Sequence, residues 1–151
     1  MNKLIKSAMV MACVGTMLCI VGCGGASNDP GEIAADFFNA ALDGKDMQAY
    51  VKKYATDDAV QRMNSDVKAF TDAFAAMKEI RKQMASEFPW FDNLKVKFVA
   101  KDVKIDGDKA KVALGIHISG TNKLTKKDSE EVKKFDEVEL KKVDGVWKLG
   151  M

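Results

Sequence analysis

Histidine, proline and cysteine are scarce in this chain of 151 residues, which holds one, two and three of them respectively. The single histidine is His117, and the cysteines Cys13, Cys19 and Cys23 all lie near the front, so beyond that one imidazole the rest of the chain offers metals only carboxylates. Asp57-Asp58 and Glu130-Glu131 read most simply as solvated charges, and neither a metal nor a cofactor is expected. An excess of one charge sign is also missing: 24 basic against 22 acidic side chains give a formal +2, which excludes a nucleic-acid binder of the usual basic kind. There is no internal repeat and no low-complexity segment. What the chain has is 47% hydrophobic and 30% charged residues of both signs, enough apolar surface to fold and too short a chain for more than one compact domain.

The front is organised differently from the rest. Lys3 and Lys6 precede Ser7 to Gly22, which carries no charge, and this is a signal-peptide layout. The run falls short of the roughly 20 apolar residues that a transmembrane helix needs. It ends in Ile20-Val21-Gly22-Cys23, which resembles the lipobox of bacterial lipoproteins, in which the cysteine is acylated and becomes the new N-terminus. The expected organisation is therefore a removed signal peptide over 1–22, a lipidated Cys23 with a tether over 23–29, and a single α+β domain over 30–151. Cys13 and Cys19 leave with the leader, so the mature form has no disulfide and no cysteine metal site. Losing Lys3 and Lys6 leaves 22 basic against 22 acidic side chains, so acyl chains such as palmitate must hold the protein unaided at the membrane. Gly24 to Asp29 spans at most about 20 Å, which keeps the domain near the bilayer. The expected location is the bacterial cell envelope, at the outer membrane if the source has two membranes.

Asp29-Pro30-Gly31-Glu32 starts a helix, with Asp29 as N-cap and Pro30 at the first helical position. Ile33, Ala34, Phe37, Phe38 and Ala41 mark its apolar face, and Gly44 ends it. Asp46 caps a second helix through Met47, Tyr50, Val51 and Tyr54. From Asp57 to Phe88 apolar residues recur every three or four positions without Gly or Pro. A continuous helix there would be about 45 Å long, more than this domain can cover, so a break is expected near Asn64-Ser65. Pro89 stops the helix at Glu87 or Phe88.

The period then changes from 3.6 to 2. Leu94, Val96 and Phe98 alternate, and Val103 and Ile105 alternate in the opposite phase, which predicts a bulge around Ala100 to Asp102. Asp106-Gly107 reads as a hairpin turn, and Ala110, Val112, Leu114, Ile116 and Ile118 form the clearest strand. Gly120 to Glu131 is a loop or the wet end of a long hairpin; Val132 to Val143 follows with Val138 and Leu140 inward, and Asp144-Gly145 turns it into Val146 to Met151. Three helices and then four antiparallel strands make an α+β domain, with N-terminal helices on a curved four-stranded sheet.

This order resembles the cystatin-like, or nuclear-transport-factor-two-like, cone. More narrowly it resembles the bacterial lipoproteins grouped as domain of unknown function 4878. The residues that carry the resemblance are Ile20 to Cys23, Asp36 to Leu42, Asp43-Gly44-Lys45-Asp46, Tyr54, Ile105 to Val112 and Asp144 to Leu149. The resemblance implies a sheet that wraps a long helix and leaves a pocket between them, and it implies no particular activity. Tyr50, Tyr54, Phe88, Trp90, Phe91 and Trp147 are the candidates for lining such a pocket, against a plainer role as core aromatics. His117 shares its face with Ala113, Gly115 and Ser119, with no acidic neighbour on its own strand, so it reads as non-catalytic. The expected function is a non-catalytic binding module for a small apolar ligand, a peptide or an envelope protein. The alternatives are a pocket enzyme of isomerase or dehydratase type and a structural or assembly subunit.

Overall fold

A computed structural model describes residues 28–150. Cys23, the leader over 1–22, most of the tether and Met151 lie outside the described residues. The first helix, α1 (Pro30–Leu42), begins as its sequence predicts: the Asp29 carboxylate accepts the Glu32 N–H and Pro30 opens the helix. A cap of this kind contributes about 1 kcal/mol. Ile33, Ala34, Phe37 and Ala41 are buried and Phe38 is half-buried. Gly44 adopts a φ of +70° in the turn that follows, a conformation that favours glycine. Asp46 then caps α2 (Met47–Tyr54) by accepting the Gln48 N–H at 3.1 Å.

The expected break in the long apolar run falls just past Asn64-Ser65. Thr56 caps α3 (Asp57–Ser65), and Asp66 ends that helix and caps α4 (Val67–Glu87) through the Ala69 N–H. The described residues therefore hold four helices, one more than the three expected, because Asp66 divides the long apolar run in two. α4 stops at Glu87, as Pro89 requires.

Four antiparallel strands follow in the order β1 (Phe91–Asp106), β2 (Lys109–Asn122), β3 (Asp128–Val143) and β4 (Val146–Leu149), each paired with its sequence neighbour. The stripe Ala110, Val112, Leu114, Ile116 and Ile118 is buried throughout. The first hairpin turns one residue later than expected, on Gly107-Asp108, where Gly107 takes a φ of +58°. Gly120 to Glu131 is the wet end of the β2–β3 hairpin. The register slips between Ala100 and Asp102, at the expected bulge, and slips again between Asp92 and Lys95 and opposite Ala113–Gly115. Such irregularities bend a sheet, and this one curls around the helices on one face.

The helix seated on the sheet is α1, not the longer α4. Gly31 packs so tightly that a Cβ there would lie 3.0 Å from Ala100 Cβ. Phe38, Phe98 and Phe135 fill the space between α1 and the sheet, with ring centroids 4.9 to 5.9 Å apart. Within that cluster Asn39 Nδ2 donates to Phe98 O at 3.0 Å and Asn39 Oδ1 accepts the Phe98 N–H at 2.7 Å. One side-chain amide thus serves both backbone groups on the open edge of β1. Asn39→Ala leaves that donor and acceptor without partners in a half-buried site, and urea denaturation should show a loss of about 1–3 kcal/mol. A loss under about 0.5 kcal/mol would mean that water replaces the amide.

Candidate functional site

Because the first half of α4 lies over α1 and only its C-terminal end reaches the sheet, its apolar stripe is only partly covered. Met84 is its one fully buried residue; Phe70, Phe74, Met77 and Ile80 are half-buried and Val67 is exposed. Phe74 meets Phe37 edge-on at 5.9 Å and Phe70 at 6.0 Å, which ties the stripe to α1 on one side. On the other side a groove of about 300 Å³ remains open between the first half of α4 and the α1–α2 joint. Its walls are Ala41, Met47, Met63, Val67, Phe70, Phe74 and Ala75. Its rim is Lys45, Asp46, Gln48, Thr71 and Lys78.

The rim is set by the turn at Gly44, where a Cβ would come within 2.8 Å of Lys78 Cε. Lys45 Nζ approaches the Tyr50 hydroxyl at 3.4 Å and lies 5.8 Å from the ring centroid. Asp43 pairs with Arg81 one turn farther along α4, which holds the helix to the joint. Apolar walls with two ammonium groups at the mouth suit an apolar molecule with a polar or anionic end. The groove supplies no set of three or more metal ligands, and none occurs among the described residues.

The aromatic residues singled out from sequence do not converge. Tyr50 and Tyr54 stack at 5.7 Å along α2, half-buried, and Trp147 is buried in the same apolar cluster with Lys142 Nζ 5.4 Å from its ring. Tyr54 also raises the Lys53 ammonium above its ordinary pKa, and that Nζ lies 4.8 Å from the Tyr54 ring. Phe88 and Phe91 stack at 5.9 Å in a separate apolar cluster with Leu42, Met84 and Phe98, where both are buried, while Trp90 packs edge-on to Phe88 and stays exposed. Apart from exposed Trp90, these residues close the core at separate places, and the groove is walled by others. Met63, Val67, Phe70 and Phe74 belong to the apolar run read as helix core; the signal was that run's excess over what the domain can cover.

His117 lies on the outer sheet face, as its alternation predicts, but it does not lack an acidic partner. The hairpin register brings Glu130 of β3 across, and its Oε2 lies 3.0 Å from His117 Nε2. Glu130 also borders a shallow polar depression of about 730 Å³, with Lys95, Ser119, Thr121 and Asp128.

No protein-family model matches this chain, and no curated protein matches it. Among solved structures, it is similar to a Campylobacter jejuni protein described as a "Putative NTF2-like transpeptidase", at 16% identity and a TM-score of 0.40, covering 82% of this chain and 98% of that one. The α+β fold stands on this chain's own strand order and helix packing.

At the C-terminal end of α4, Glu87 pairs with Lys133 of β3 and accepts from Gln83 Nε2 at 3.0 Å. The Lys133 hydrogen bond, with help from Gln83, holds the Glu87 carboxyl below its ordinary pKa. A depressed carboxyl pKa adds stability above the unfolded-state value, and that contribution disappears as pH falls through the folded-state value. Lys133→Ala should therefore raise the Glu87 pKa toward the ordinary glutamate value in a carboxyl-carbon NMR titration. An unmoved Glu87 would mean that Lys133 is not its partner in solution.

Proposed function

We propose that this chain is a cell-envelope lipoprotein whose domain binds a small apolar ligand in the groove beneath α4, without catalysing a reaction on it. The single observation that carries the binding role is that groove: about 300 Å³ left open beside half-exposed Phe70 and Phe74, with Lys45 and Lys78 at its mouth. This is the lower end of the volumes that small-molecule sites occupy. Membrane attachment rests on sequence: Lys3 and Lys6, the uncharged run and Ile20-Val21-Gly22-Cys23. In this reading Cys23 carries the acyl chains, in the manner of the lipoproteins of domain of unknown function 4878, in a bacterial envelope and at the outer membrane where there is one. Two or more acyl chains anchor stably where one is marginal.

The anchoring half is tested by mass spectrometry of the protein made in a bacterial host. The wild type should be cut before Cys23 and carry acyl mass on it, and Cys23→Ser should accumulate as an uncut precursor. Cleavage elsewhere, or an unmodified Cys23, removes this half of the reading.

The groove is tested with 1-anilinonaphthalene-8-sulfonate as probe and decanoate as competitor. Ala75 is exposed on the groove wall, so Ala75→Trp should fill the space with a stability change within about 0.5 kcal/mol. Probe affinity should fall about tenfold or more, which corresponds to about 1.4 kcal/mol. Equal affinity in the two proteins would place the probe elsewhere.

The His117–Glu130 pair favours the alternative, a pocket enzyme, because a carboxylate that orients an imidazole is what a general base requires. The binding reading expects His117→Ala to leave decanoate competition within a few fold. Turnover of any substrate that collapses in a folded His117→Ala protein would make the chain an enzyme instead.

A further inference from the structure

We infer that the tip of the β2–β3 hairpin, together with Trp90, docks onto the surface of a bilayer containing anionic lipid. Leu124 is 88% exposed and Trp90 is 45% exposed, two of the large apolar side chains left in water by the fold. They lie at one end of the molecule, because the hairpin tip is tied to the Pro89-Trp90 turn. The Lys123 N–H donates to Trp90 O at 2.8 Å and Lys123 Nζ donates to Pro89 O at 2.7 Å.

The tip is ordered from within. Asn122 Oδ1 accepts the N–H groups of Leu124 and Thr125 at 2.9 and 3.1 Å, and Asn122 O accepts the Lys126 N–H at 2.8 Å. Leu124 is thus held outward by a braced turn. Single exposed apolar side chains are ordinary on a protein surface, and what distinguishes Leu124 is its near-complete exposure among lysines.

Lys123, Lys126 and Lys127 fall within this turn and no acid does. Of the acids nearby, Asp128 accepts from Thr121 Oγ1 at 2.9 Å, Glu130 pairs with His117, and Asp92 lies 3.9 Å from Lys123 Nζ. Lys126 and Lys127 form no ion pair among the described residues. A protruding leucine, an exposed indole on the turn tied to it and two unpaired lysines match the layers of an anionic membrane surface, where tryptophan favours the headgroup level and lysine the phosphates. Charge complementarity selects the occupant: Lys126 and Lys127 suit an anionic surface, and Leu124 between them and the Trp90 turn suits its apolar layer.

The test uses the full chain and phosphatidylcholine vesicles with and without phosphatidylglycerol. The uncharged N-terminal run brings the chain to both, so the readout is local: the emission of Trp90, taken as wild type minus Trp90→Phe. With phosphatidylglycerol, Trp90 should shift to the blue and become shielded from acrylamide, and Leu124→Asp should abolish both changes. Lys126→Glu with Lys127→Glu should weaken the Trp90 response about tenfold or more at low salt, because each lysine counts separately near an anionic surface. The inference fails if the chain sediments with anionic vesicles while Trp90 remains red-shifted and quenchable. It fails equally if the Trp90 change survives Leu124→Asp, or if it is the same without phosphatidylglycerol and insensitive to salt. None of these readings depends on occupancy of the groove.

Discussion

The Asn39 amide fixes how the helices meet the sheet. β1 is an edge strand, and at Phe98 its backbone N–H and C=O point to a helix that has no backbone donors or acceptors to spare. A side-chain amide has the same donor and acceptor as a neighbouring strand. By placing one at Asn39 the chain seats α1 against β1 at a single register. Phe38, Phe98 and Phe135 can then close around it, and Gly31 can approach Ala100. Once α1 occupies that face, α4 is left to lie over α1, and the groove follows from that displacement.

Much of this architecture is written locally. Asp29 and Asp46 announce helix starts because a cap needs only its own next turn, and Pro89 stops α4 for an equally local reason. The phase change between Phe98 and Val103 reveals a bulge because side-chain alternation has a period of two. Asn39 is different. Its partner is 59 residues away, and an asparagine in an amphipathic helix looks like any solvated polar residue until the strand is in place. The same limit hid Glu130 from His117, since the pair forms only through the β2–β3 register, in which Val132 faces His117 and Glu130 lies diagonally across from it. The candidate site was the least legible part. Phe88, Trp90, Phe91 and Trp147 drew attention by their size, whereas the groove exists because Phe70 and Phe74 are incompletely covered, which is a property of packing.

The two surfaces set apart here differ in physical character. The groove is recessed, and its walls move only as far as α4 moves. The hairpin tip is braced by Asn122 and carries Lys123, Lys126 and Lys127, while Asp128 and Glu130 of the same stretch lie on the strand that leaves it. Sequence composition over a dozen residues cannot separate a tip from its stem, whereas strand pairing does so directly.

α4 has one fully buried residue along its length, while the central stripe of β2 is buried throughout. Elements with few buried contacts open at the lowest free energy, so the roof of the groove undocks more often than the sheet beneath it unfolds. A molecule that binds only while α4 is docked stabilises that docked state by RT ln(1 + [L]/Kd). Ligand concentration would then be recorded as order in one helix: slow amide exchange along α4 when the groove is filled, fast exchange when it is empty, with β2 unchanged in both.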